Sequence, residues 1–81
     1  MGKYYYTYVL ESILDRKLYI GWTDNLVSRL KKHNNGLVQA TKNRRPLRLV
    51  YYEACLLREK AIEREKALKT GFGRKYLKSR I

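Results

Sequence analysis

The sequence predicts an α+β domain, a small three-stranded antiparallel sheet flanked by helices in the order ββαβαα. Three observations lead there. Residues 4–11 and 17–22 are dense in aromatic and β-branched side chains and lie one short loop apart, which is hairpin spacing. Leu26 and Leu30 then repeat at helical spacing. A third apolar run, residues 47–54, precedes a segment in which Leu57, Ala61, Ile62 and Leu68 gather on one helical face.

Each element has its own signals. Residues 12–16 form the hairpin loop, with Asp15 as the turn former. Thr23 or Asp24 offers an N-cap oxygen to a helix running to about His33, and Asn35-Gly36 supplies the left-handed residues that end it. Residues 37–46 are polar and basic, without apolar period, and read as a loop. Residues 57–69 form the second helix, stopped by Thr70-Gly71. A short basic helix over residues 74–80 completes one domain, residues 1–81.

Nineteen Lys and Arg against seven Asp and Glu give a formal charge of +12, so a polyanion is the expected partner. No apolar run approaches a membrane span. The first residues are tyrosines rather than a signal peptide, and Tyr6 stands where myristoylation after Met1-Gly2 needs Ser or Thr. Cys55 is the only cysteine and His33 the only histidine, which excludes a disulfide framework and a zinc site. The thiol reads as buried and inert, the compartment as cytoplasmic.

Five side chains carry the chemistry. Glu65 falls in the middle of the apolar face of the second helix, whereas Glu59 and Glu63 project to the other side. An inward carboxylate needs a cation: either a structural ion pair or a hard ion such as Mg²⁺ or Mn²⁺. Arg29 and His33 are an i, i+4 pair on one helix face, where a guanidinium can grip phosphate. Taken singly, Arg29 also fits a solvated basic face, and His33 fits a cation at a helix C-terminus. Tyr4, Tyr5, Tyr6, Tyr51 and Tyr52 read as core or half-buried surface. Tyr8 and Tyr19 differ through their partners. Alternation puts Tyr19 on one face with Gly21, which would leave open space beside the Tyr19 hydroxyl for a backbone phosphate. Two phenols, a guanidinium, an imidazole and a carboxylate are the groups that phosphodiester hydrolysis uses.

Tyr6-Thr7-Tyr8, Tyr19-Ile20-Gly21-Trp22-Thr23, Arg29, His33-Asn34-Asn35-Gly36 and Ala61-Ile62-Glu63-Arg64-Glu65 together resemble the GIY-YIG nuclease superfamily over nearly the whole chain. The likeness is strongest to small, stand-alone bacterial members related to the excision-repair incision subunit and to structure-specific nucleases. The first motif reads Tyr6-Thr7-Tyr8 in place of Gly-Ile-Tyr, and no asparagine follows Asn43, where many members carry one after the glutamate helix. By position, the resemblance implies that Tyr8 or Tyr19 deprotonates the attacking water. It implies that Arg29 stabilises the transition state, that His33 supports proton transfer or orients a tyrosine, and that Glu65 binds the metal. One central carboxylate implies one ion, Mg²⁺ or Mn²⁺.

Lys42, Arg44 and Arg45 in the loop and Arg74, Lys75 and Lys78 near the end are candidate phosphate clamps for DNA. No recognition module for sequence is visible, so branched, flapped or damaged DNA in repair or recombination is the expected substrate, and a protein partner could supply specificity. Two other readings stand beside the endonuclease: a catalytically silent nucleic-acid-binding module and a ribonucleoprotein component.

Overall fold

The computed structural model describes residues 3–81, so the Met1-Gly2 start lies outside the described residues. Strands β1 (Tyr5–Ser12), β2 (Leu18–Thr23) and β3 (Leu47–Cys55) form an antiparallel sheet in the order β2-β1-β3. Helices α1 (Leu26–Asn34), α2 (Arg58–Leu68) and α3 (Gly71–Lys78) flank it, with one 3₁₀ turn at Lys42–Arg44. The expected α+β class and the order ββαβαα are both present.

The central strand β1 has both faces covered, and Thr7, Tyr8, Val9 and Leu10 are all buried in consequence. One face carries Val9 and Ile20 against Leu68 of α2 and Leu77 of α3. The other carries Tyr8, Leu10 and Leu47 against Leu26 and Leu30 of α1 and the half-buried Tyr19. The hairpin register sets Tyr8 opposite Gly21 and Leu10 opposite Tyr19, on the α1 side of the sheet. A bulge in the β1–β3 pairing falls between Val9 and Leu10. The Thr7 hydroxyl donates to the Ala61 carbonyl at 2.8 Å and ties α2 to the central strand.

Several local expectations shift by a residue or more. The N-cap of α1 is Asn25, whose side chain accepts the Ser28 N–H at 3.1 Å. Thr23 braces the turn before it by accepting the Asn25 N–H. α2 ends at Leu68, ahead of Thr70 as expected, but Thr70 also starts α3: its hydroxyl accepts the Gly73 N–H at 3.2 Å, so α3 begins at Gly71 rather than near Arg74. Gly73 is buried because a Cβ there would fall 2.4 Å from the Ala67 carbonyl oxygen, which is how closely α3 crosses α2. Cys55 is half-buried, not buried, and its thiol donates to the Leu57 carbonyl at 3.3 Å. Tyr4 and Tyr52 are exposed, because β3 is an edge strand and Tyr4 precedes the sheet. Leu57 is exposed as well, and only Ala61 and Leu68 of the expected apolar face are buried, with Ile62 half-buried.

The loop of residues 37–46 is polar but not loose. Val38 and Thr41 are buried, and Ser12 donates its hydroxyl to the Arg44 carbonyl at 2.7 Å. Asn34, at the end of α1, accepts the Leu47 N–H and donates to the Leu47 carbonyl. The Leu37 N–H donates to the Lys32 carbonyl at 3.0 Å, so both ends of the loop are fastened to the structure around α1. None of the described helices is long and apolar enough to cross a membrane.

Candidate active site

The site is built from the α1 side of the hairpin outward. Tyr8 projects from the central strand and is 1% exposed. Its hydroxyl lies 2.8 Å from His33 Nε2 and accepts from Arg29 Nε at 3.4 Å. The i, i+4 pair on α1 thus meets one phenolic oxygen from two sides. Tyr19 packs edge-on against the same imidazole, with ring centroids 5.1 Å apart, and its ring lies 6.4 Å from that of Tyr8.

The space over Gly21 is not open, contrary to the expectation from strand alternation. A Cβ on Gly21 would fall 2.6 Å from the Tyr8 hydroxyl and 3.2 Å from the Tyr19 ring. Tyr8, the cross-strand neighbour, fills the gap that the missing side chain leaves. Gly21 makes room for a phenol rather than for a phosphate.

Glu65 sits on α2 with its side chain 17% exposed, and its Oε2 is 3.1 Å from Lys69 Nζ one turn later. Its negative charge is felt at Tyr8, where it adds to the forces that raise the phenol. Burial is the largest of these, Tyr19 adds to it, and Arg29 opposes it. Arg29 is held protonated above its ordinary value, chiefly by the Tyr8 hydroxyl. Burial first, and the Arg29 charge second, depress His33 to about 4, so the imidazole is neutral at pH 7.

The sequence reading missed Thr41. Its hydroxyl lies 2.7 Å from His33 Nδ1, and neither residue is exposed at all. A threonine inside a basic loop carries no signal of its own. The available clue was His33: a histidine inside a core needs a partner on each ring nitrogen.

Glu65 fits a hard divalent ion. Among the described residues no group of three or more His, Cys, Asp or Glu side chains gathers into a protein-only cage. A single carboxylate suits an ion that keeps most of its shell as water and phosphate oxygen. The Lys69 ammonium lies 3.1 Å from that carboxylate, a structural ion pair that would have to open for an ion to bind there.

Two clefts flank the site. One, of about 460 Å³, shares Arg29 and is also lined by Tyr5, Trp22, Asp24 and Arg58, with the Arg58 guanidinium 5.2 Å from the Trp22 ring centre. The other, of about 880 Å³, shares Tyr19 and is also lined by Arg16, Lys17, Lys69, Arg74 and Lys78. Among the expected phosphate clamps, Arg74 and Lys78 line this second cleft, and Lys75 is exposed on the same helix. Lys42 and Arg45 line a separate groove beside Asn34 and Pro46, where Arg45 Nε donates to the Lys42 carbonyl. Arg44 is half-buried, with its Nε 3.5 Å from the Asp15 carboxylate.

Comparison with known proteins bears on the family and the fold. A sequence model of the GIY-YIG catalytic domain matches residues 4–77. A UPF0213 protein of Clostridium perfringens is 43% identical over 65 residues, covering 79% of this chain and 69% of that protein. A UPF0213 protein of Staphylococcus saprophyticus is 39% identical over 75 residues, covering 91% and 90%. The solution structure of a UPF0213 protein from Bacillus halodurans superposes with a TM-score of 0.58 at 33% identity, covering 94% of this chain and 83% of that one. With its fold, its tyrosine-bearing hairpin and nearly all its length accounted for in this way, the chain belongs to the GIY-YIG nuclease superfamily.

Proposed function

We propose that this chain is a metal-dependent DNA endonuclease that hydrolyses phosphodiester bonds with one divalent ion, selects DNA by structure, and serves repair or recombination. The observation that carries the reading is the Tyr8 hydroxyl held between Arg29 and His33. In this reading Tyr8 takes a proton from water, and Arg29 supports its phenolate while keeping further N–H donors for a phosphate oxygen. Tyr19 borders the basic cleft and lines the approach. His33 stays neutral and acts through the Tyr8 oxygen. Glu65 would hold the ion, Mg²⁺ or Mn²⁺, whose chemistry is to draw charge from a non-bridging oxygen and from the leaving 3′ oxygen, leaving 5′-phosphate and 3′-hydroxyl ends.

Structure selection is supported by what surrounds the site: cation-lined clefts suited to backbone phosphate, with Trp22 and Tyr5 as the nearby aromatic faces. The test is incubation of nicked, flapped and four-way DNA with Mg²⁺ or Mn²⁺, using wild type and Glu65→Ala. Metal-dependent cutting of at least one substrate, lost in Glu65→Ala, is the expected result. Binding of all three without cutting under either metal would make the chain a catalytically silent binding module.

A further inference from the structure

Two contacts of His33 share a limited number of protons. The ring is neutral and carries one N–H, yet it meets a hydroxyl at each nitrogen, Tyr8 at Nε2 and Thr41 at Nδ1. The second proton must come from one of those hydroxyls. If Tyr8 gives it, the Thr41 hydroxyl hydrogen is left without an acceptor at a residue with no exposure, because His33 Nδ1 is its one side-chain partner among the described residues. If Thr41 gives it, the hydrogen left over is the phenolic proton of Tyr8, the one that departs when Tyr8 becomes a base. Once that proton has left, the Tyr8 oxygen accepts from His33 Nε2–H and from Arg29 Nε–H, and every remaining hydrogen in the chain of contacts has a partner.

We infer that Thr41 is a positioning residue for catalysis: its hydroxyl donates to His33 Nδ1, fixes the Nε2–H tautomer, and so makes the histidine a donor to the Tyr8 phenolate. The contact between Thr41 and His33 rests on geometry, whereas the choice of tautomer and its kinetic consequence rest on the nuclease reading, in which Tyr8 gives up its proton. The buried location is what gives Thr41 this control. Among the described residues no competing side-chain donor reaches Nδ1, and the fastened loop of residues 37–46 holds the hydroxyl at 2.7 Å. The groups that bear on the Tyr8 oxygen are Tyr19 from β2, Arg29 and His33 from α1, and Glu65 from α2. Arg29 and His33 are the two that donate to it, so losing one of them weakens the phenolate.

The experiment is a proton–nitrogen correlation spectrum of the ring of His33, unambiguous because the chain has one histidine. It is recorded for wild type, Thr41→Val and Thr41→Ser alongside kcat, KM and the pH profile on the DNA that wild type cuts. Wild type should show the Nε2–H tautomer. Thr41→Val, which keeps the shape and removes the hydroxyl, should mix the tautomers, lower kcat about tenfold or more at unchanged KM, and move the pH profile upward. Thr41→Ser should restore the spectrum and the rate. An Nδ1–H tautomer in wild type, or a Thr41→Val protein with wild-type tautomer and kcat, would overturn the assignment. Wild type that shows the Nε2–H tautomer but cuts no DNA would remove the nuclease reading and leave the wiring intact.

Discussion

The Tyr8 hydroxyl occupies the position over Gly21 that any other residue's side chain would need, with a Cβ there falling 2.6 Å from the oxygen and 2.8 Å from the ring carbon that bears it. The two residues face each other across the hairpin, and Tyr8 cannot retreat because its ring is buried against α1. Gly21→Ala should therefore displace the phenol from Arg29 and His33. The expected outcome is a fall in kcat of about a hundredfold, the scale for misplacing a reacting group by about 1 Å. Overpacking should also lower stability by roughly 1–3 kcal/mol. Gly71→Ala is the control, since nothing lies within 4 Å of a Cβ built there. Equal rates in the two variants would contradict the proposed role of the gap.

The two tyrosines should separate in mutation. Tyr8 places its oxygen against two donors, whereas Tyr19 meets His33 with the edge of its ring. Tyr8→Phe should lose about 10²–10⁴ in kcat, the span of a general base. Tyr19→Phe should lose much less and act mainly on KM. Because burial holds the Tyr8 phenol above its ordinary range, the wild-type rate should climb with pH from 7 to 9. That climb should be absent in Tyr8→Phe.

Much of this site could be read from residue order, and the part that could not has a common physical cause. The hairpin, α1 and β3 are encoded by short-range alternation and by caps a few residues away. The inward turn of Glu65 follows from helical period, and the 17% exposure of its side chain agrees with that placement. Thr41, Gly73 and the gap over Gly21 are different. Each acquires its meaning from a partner distant in the chain or from the approach of another element: His33 for Thr41, the carbonyl of Ala67 for Gly73, and Tyr8 for Gly21. Thr70 shows the same limit at close range. A threonine before glycine fits a helix end and a helix start equally well, and here it serves both, donating to the Ala67 carbonyl of α2 while accepting the Gly73 N–H of α3.

Acid should unfold the protein in a step that belongs to His33. Its folded value of about 4 lies below the ordinary 6.5, so the unfolded chain takes up a proton that the folded chain refuses. Stability is unaffected by this group above pH 6.5, declines as pH falls from 6.5 towards 4, and loses up to about 3 kcal/mol in total. Glu53, drawn below its usual value by Arg64 and Tyr51 against the opposing effect of burial, contributes its own loss only at lower pH. Urea denaturation at pH 7.0, 6.0 and 5.0 should show the decline in wild type. The slope should vanish in His33→Gln, which cannot take up that proton.

Salt dependence should distinguish the two groups of basic residues. Arg74 and Lys78 line the cleft that includes Tyr19, together with Arg16, Lys17 and Lys69. Lys42 and Arg45 lie in a separate groove, and Arg45 has its Nε engaged by the Lys42 carbonyl. Each phosphate contact contributes about 0.7–0.9 to the slope of log K against log salt. The pair Arg74→Ser and Lys78→Ser should therefore flatten that slope by about 1.5, and Lys42→Ser with Arg45→Ser by much less. Fluorescence anisotropy on a flapped duplex between 50 and 200 mM salt gives both slopes. A larger effect from the Lys42–Arg45 pair would mean that the strand crosses the loop face near Pro46 rather than following β2 and α3 past Tyr19.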